Sequence, residues 1–146
     1  MGLLRHLLRV IKGKILNTKL GVLVVSPPGD LQISLQALLT THLDVDVLVV
    51  SEGTSALNVI KRHKPALVIL DQDIFKNKVV EFIENIKISW PEIQCVVLAN
   101  DSQTRQEMMI SSADLTVIKG FPGSKLVAEI KRLLTTGYSP KGWKQL

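Results

Sequence analysis

The sequence predicts an open parallel α/β sheet with helices on both faces, and three observations lead there. Short apolar runs of four to six residues alternate with longer helical patterns between residues 21 and 135. Aromatic residues make up only 4% of a chain that is 46% apolar, so its interior is built from Val, Ile and Leu. That is the composition of strands buried on both faces. Proline falls between the runs rather than within them.

The elements follow in order. Val22-Leu23-Val24-Val25 marks a strand at 21–26, and Pro28-Gly29-Asp30 opens a helix at 30–42 with Leu31, Leu35, Leu38 and Leu39 on one face. A second strand at 45–50 leads to a helix at 52–63. Pro65 then precedes the third strand, 66–71, whose run Leu67-Val68-Ile69-Leu70 stops at Asp71. The helix at 77–88 places Val79, Phe82, Ile83 and Ile86 on one face, and Pro91 separates it from the fourth strand at 94–99. A helix at 102–112, a strand at 115–118 and a helix at 123–134, with Leu126, Ile130, Leu133 and Leu134 aligned, complete five βα units. Their connections place helices on both faces of one sheet. Any site in such a sheet lies at the carboxyl ends of its strands.

At 146 residues the chain is long enough for one domain with a filled core, and a mean hydropathy of +0.25 excludes disorder. No run reaches the roughly 18 apolar residues of a membrane span. The single cysteine, Cys95, lies in an apolar run, so it reads as a buried, inert thiol and fits a reducing cytoplasm. The formal charge of +5 is uneven. Residues 1–20 carry Arg5, Arg9, Lys12, Lys14 and Lys19 with no acidic residue, which leaves thirteen basic against thirteen acidic residues beyond them. The globular part is neutral, so nucleic acid is not its expected partner. The organisation is a basic extension at 1–20, a domain at 21–135 and a tail at 136–146.

The strand ends read Ser26-Pro27-Pro28, Ser51-Glu52, Asp71, Ala99-Asn100 and Lys119-Gly120-Phe121. Together with Val22–Val25, the string Pro65-Ala66-Leu67-Val68-Ile69-Leu70-Asp71, and Ser112-Ala113-Asp114 running to Lys119 and Phe121, this pattern resembles the response-regulator receiver (CheY-like) family across residues 20–135. The resemblance implies a flavodoxin-like, doubly wound five-stranded parallel sheet of order 2-1-3-4-5. It also implies that Asp71 matches the phosphoryl acceptor and Lys119 the lysine that binds phosphoryl oxygens. The family's acidic Mg²⁺-holding pair after the first strand is replaced by Ser26 and Pro27. Its Ser or Thr at the end of the fourth strand falls on Leu98 or Ala99, its activation-reporting aromatic on Thr116, and its proline after the lysine on Gly120.

Phosphoryl transfer relies on positioning and electrostatic stabilisation, which the metal normally supplies. The expectation is therefore a pseudo-receiver lacking that chemistry: not an enzyme, with no cofactor and no metal. Ser26, Pro27, Asp71, Ala99 and Lys119 form a vestigial pocket, and Asp71 pairs directly with Lys119. Asp73 reads as a solvated loop residue. The function expected is signalling by contact with a partner protein, across the surface of the last helices and strand. Only residues 135–146 follow the last helix, too few for an output module. Two alternatives stand beside this reading: a degenerate regulator still phosphorylated at Asp71, and a small flavodoxin-like ligand carrier. His6, His42 and His63 fall in or beside helices, which argues against Ser-His-Asp hydrolysis. Pro27 and Pro28 remove two N–H donors from the place of a phosphate-binding loop.

On a helical wheel Leu3, Leu4, Leu7, Leu8, Val10, Ile11 and Ile15 share an arc, with Arg5, His6, Arg9 and Lys12 opposite. This is the pattern of an amphipathic helix and neither a secretory signal nor a myristoylation site. It suits a partner or a second copy, a membrane surface, or a targeting or nucleic-acid tail. The contact residues expected are Leu4, Arg5, Leu8, Arg9, Ile11 and Lys12, with Thr116 on the last strand. The location expected is cytoplasmic, with a peripheral membrane contact as one option.

Overall fold

The computed structural model of the chain describes residues 19–109 and 111–136. Five parallel strands form one sheet: β1 (Leu20–Val25), β2 (Val45–Val50), β3 (Leu67–Asp71), β4 (Gln94–Ala99) and β5 (Leu115–Ile118), in the order β2-β1-β3-β4-β5. Four helices connect them, α1 (Asp30–His42), α2 (Gly53–His63), α3 (Val79–Ser89) and α4 (Ser102–Met109), and α5 (Gly123–Thr136) follows β5. A helical turn, Gln72–Phe75, and a 3₁₀ turn, Lys76–Lys78, stand between β3 and α3. The order is the one expected from the sequence.

Because side chains alternate along a strand, each central strand feeds two cores at once. Val22, Val24, Leu67, Ile69, Val96 and Leu98 pack with α1 and α5, through Leu35, Leu39, Leu126, Ile130 and Leu133. Leu23, Val25, Val68, Leu70, Cys95 and Val97 pack on the other face with Ala56 and Ile60 of α2, Val79, Ile83 and Ile86 of α3, and Met108 of α4. Cys95 is fully buried there, and burial pushes its thiol up to about 12. Trp90 packs at the edge of the same cluster. Leu31 departs from expectation: it starts α1 with its side chain largely in solvent, because the core under α1 begins one turn later at Leu35.

Element ends differ from the sequence reading for local reasons. α4 was expected to reach 112 but has ended by Ser111. The Ser111 hydroxyl donates to the Met108 carbonyl at 2.7 Å and accepts the Ala113 N–H at 3.1 Å, offering the backbone partners that a continuing helix would have used. α3 begins at Val79 rather than 77, because Lys76, at a positive φ of 54°, ends the turn Gln72–Phe75, and Lys76–Lys78 follow as a 3₁₀ turn. α5 continues past 134 to Thr136; the next residue is Gly137. β1 and β3 each begin or end one residue from expectation, although the Ser26 N–H still reaches the Val50 carbonyl at 3.1 Å. The amphipathic pattern at residues 3–16, with its contact residues Leu4, Arg5, Leu8, Arg9, Ile11 and Lys12, lies outside the described residues, as does the tail from 137 with Trp143.

At the amino ends of the strands, Asp114 ties β5 to β4. One of its carboxylate oxygens accepts the Cys95 N–H at 2.8 Å and the Lys87 ammonium at 2.7 Å. Lys87 also donates to the Ile93 carbonyl at 2.6 Å, so this cluster fastens α3 and the turn before β4 to β5. The opposite ends of the strands are then free to carry the site.

Candidate functional site

Parallel topology brings the ends of β1, β3, β4 and β5 together at one rim of the sheet. Asp71 closes β3 with 1% of its surface exposed. Lys119 follows β5, and its ammonium lies 2.6 Å from Asp71 Oδ1 and 2.9 Å from Asp73 Oδ2. One cation therefore bridges two carboxylates. Burial alone would pull Lys119 below its ordinary value, but its hydrogen bonds to Asp71 and Asp73 outweigh that and hold it above.

Asp73 is not the free loop residue expected from the sequence. The chain turns helical at once after β3, so the Asp73 N–H donates to Asp71 Oδ1 at 2.8 Å and the Asp73 side chain faces the ends of β4 and β5. Its carboxylate accepts from Lys119 and, at 2.7 Å, from the Asn100 side-chain amide. These two bonds, Lys119 first and Asn100 second, hold the Asp73 carboxyl below its usual value. Its side chain is nevertheless 53% exposed.

Gln72 adds a second staple. Its Oε1 accepts the Asn100 N–H at 2.7 Å and its Nε2 donates to Thr104 Oγ1 at 2.9 Å, linking the turn to β4 and to α4. Asp101 caps α4 by accepting the Thr104 N–H at 2.8 Å, and that bond holds its carboxyl below the usual value. Asn100, Gln72 and Thr104 were not singled out from the sequence. The acidic pair Asp71-Gln72-Asp73, directly after a buried strand and facing a strand end that reads Asn100-Asp101, was the available signal.

The remaining residues of the expected pocket divide. Ser26 follows β1, 1% exposed, and its hydroxyl has no hydrogen-bond partner among the described residues. Its carbonyl accepts from Gln32 Nε2 at 2.9 Å. Pro27 is half-buried beside it. The sheet register sets Leu98, not Ala99, across from Asp71, and Leu98 packs into the α1–α5 core. Ala99 contributes its carbonyl, which accepts the Lys119 N–H at 2.8 Å.

Gly120 has φ +94°, a conformation closed to the proline that the resemblance places there. Thr116 is a correction. It was expected at a partner contact, yet it is fully buried, because it faces away from Leu115 and Val117 onto the side of β5 that α4 covers. Its hydroxyl, like that of Ser26, has no partner among the described residues. Beside the cluster a groove of about 390 Å³ opens between the turn after β3 and α4, with Asp73, Asn100, Val80, Glu107 and Met108 in its wall.

Comparison with known proteins gives this arrangement its family. The sequence model described as the response regulator receiver domain matches residues 22–131. The chain belongs to that family. The receiver fold also recurs in solved structures at low identity. A response regulator from Thermotoga maritima is 18% identical with a TM-score of 0.71, over 80% of this chain and 98% of that one. The chemotaxis response regulator CheY4 of Vibrio cholerae is 18% identical with a TM-score of 0.69, over 80% of this chain and 99% of that one. The receiver domain of a sensor histidine kinase from Pseudomonas aeruginosa PAO1, solved with a magnesium ion in its active-site cleft, is 16% identical with a TM-score of 0.70, over 80% of this chain and 98% of that one. No curated protein sequence matches. The protein is thus a receiver domain of two-component signalling, and no helix among its described residues is long and apolar enough to cross a membrane.

Proposed function

We propose that this receiver domain works as a pseudo-receiver: it signals by contact with a partner protein, does not depend on phosphorylation, and is not an enzyme. The observation that carries the reading is the bridging position of Lys119, engaged by Asp71 and Asp73 together. A phosphoryl group arriving at Asp71 needs that ammonium, and here it would have to displace a carboxylate already bonded to it.

The donor set does not fit the magnesium ion that receivers use. Mg²⁺ binds through carboxylates and water at near-ideal octahedral geometry. After β1 this chain offers a hydroxyl and a proline, Ser26 and Pro27, and among the described residues no group of three His, Cys, Asp or Glu is placed to hold a metal. Leu98 facing Asp71 also means that β4 supplies no hydroxyl donor opposite the acceptor position. Without a bound metal ion, and with Lys119 already engaged by two carboxylates, charge building on a transferred phosphoryl group has little to stabilise it.

Receivers act on signalling partners such as kinases and effector domains, and for this chain the contact surface lies on α4, β5 and α5. The basic, apolar segment at residues 3–16 supplies a second point of attachment, with a partner chain or an anionic surface. A magnesium titration followed by backbone amide shifts tests the reading. The resonances of Asp71, Gln72 and Ser26 are expected to stay in place at millimolar Mg²⁺, and saturable shifts there would contradict it.

A further inference from the structure

We propose that Asp73 is a positioning residue serving as a resident anion: its carboxylate joins Lys119 to Asn100 above Asp71 and fixes the ends of β3, β4 and β5 in one arrangement. The proposal deepens the pseudo-receiver reading and rests on it.

Three features of the geometry support it. The Asp73 backbone is anchored to the buried acceptor position itself, through its N–H to Asp71 Oδ1 at 2.8 Å. Its two carboxylate oxygens are divided between strands, with Oδ2 on the Lys119 ammonium beyond β5 at 2.9 Å and Oδ1 on the Asn100 amide beyond β4 at 2.7 Å. An ammonium and an amide from two neighbouring strand ends form a pair of donors suited to an anion, and the anion they hold belongs to the chain.

The third feature is the route outward. Gln72, between the two aspartates, bonds to the Asn100 N–H and to Thr104 of α4. Asn100 thus receives Asp73 on its side chain and Gln72 on its backbone, and α4 is fastened to the same turn. Loosening Asp73 frees Lys119 and one of the two ties on Asn100, which loosens the rim from which α4 starts. A domain held in this way presents one form of its α4–β5 face without a bound phosphoryl group. Asp73 is half exposed, so its carboxylate can be removed without opening a cavity in either core.

Amide hydrogen exchange of the full chain, with the wild type beside Asp73→Asn and Asp73→Ala, tests this. Asparagine keeps the shape and the bond from Asn100 but removes the charge that holds Lys119. The expected result is exchange at the Asn100 and Lys119 amides at least tenfold faster in Asp73→Ala, with the Ile69 and Val97 amides unchanged. Asp73→Asn is expected to lower the Lys119 side-chain titration midpoint, a response that mere loss of packing would not produce. If the alanine variant fails to fold, the asparagine variant decides by the same two readouts.

Unchanged exchange together with an unchanged Lys119 midpoint would overturn the clamp. Incubating each variant with acetyl phosphate and weighing it intact separates the two levels. Phosphoryl uptake by the wild type overturns the pseudo-receiver reading, whereas unchanged exchange without uptake overturns only the role of Asp73.

Discussion

The Lys119 ammonium lies 2.6 Å from Asp71 Oδ1, and the carboxylate it neutralises is buried to 1% exposure. Removing one partner of such a pair leaves a charge stranded in a poor solvent, which costs more than the pair contributes. Lys119→Met is expected to destabilise the domain by about 3 kcal/mol, at the low end for a buried pair because the lysine itself keeps some solvent. Asp71→Asn, which leaves a neutral amide instead of a stranded charge, should cost less. Urea unfolding of both variants checks the order, and equal midpoints for Lys119→Met and the wild type would show that Asp71 does not depend on this cation.

The opposite pole of the sheet has its own dependence. Asp114 accepts from the Cys95 N–H and from Lys87, so Asp114→Ala leaves a buried backbone donor and an ammonium without their acceptor. A loss of about 2 kcal/mol is expected, within the range for stranding a buried polar group. Asp114→Asn keeps an oxygen for the Cys95 N–H and should recover part of that loss. Calorimetric melting of the two variants decides, and an asparagine variant no better than alanine would place the whole contribution in the ion pair.

Stability should vary with pH in two opposed limbs. Asp73 and Asp101 are held below the ordinary carboxylate value of 3.8, so they contribute stability present above it and lost as pH falls through their folded values. Lys119 is held above 10.5, so its contribution is complete below that pH and disappears as pH rises through its folded value. Between these limits the site contributes a plateau. Melting temperature measured against pH should show the gap between wild type and Asp73→Asn closing below about pH 4. A gap that stays constant into acid would mean that Asp73 carries no charge-dependent contact.

Much of this was legible in the sequence, and the parts that were not have physical reasons. Strand positions follow from apolar runs and from which residues stop them, while the sheet order came from the resemblance to the receiver family; with that order, parallel topology brings Asp71 and Lys119 to one rim. Asp73 was misread because its role depends on a turn beginning directly after β3, and its partners Lys119 and Asn100 are distant in sequence. Thr116 was misread because strand period alone does not say which face a neighbouring helix covers. Ser111 ended α4 through its own backbone bonds, a competition that helix periodicity does not register.

The sequence of residues 3–16 combines apolar residues with cations, and each cation near an anionic leaflet contributes about 1 kcal/mol at most. Flotation with vesicles, with and without anionic lipid, across a salt series separates its two uses. Membrane attachment predicts flotation only with anionic lipid, weakened by salt and lost when residues 1–20 are deleted. Protein that never floats, but gains mass with concentration in a way that needs residues 1–20, identifies a contact between copies instead.

The phosphorylation state of Asp71 after exposure to a small-molecule donor is the most direct test of the central claim. The full chain is incubated with acetyl phosphate or phosphoramidate, with and without millimolar Mg²⁺, and weighed intact beside Asp71→Asn. The expected result is a mass unchanged in every condition, because Lys119 is occupied by Asp71 and Asp73 and no donor set among the described residues holds the ion. A magnesium-dependent gain of one phosphoryl group by the wild type, absent from Asp71→Asn, would contradict it and restore this domain to the phosphorylated receivers.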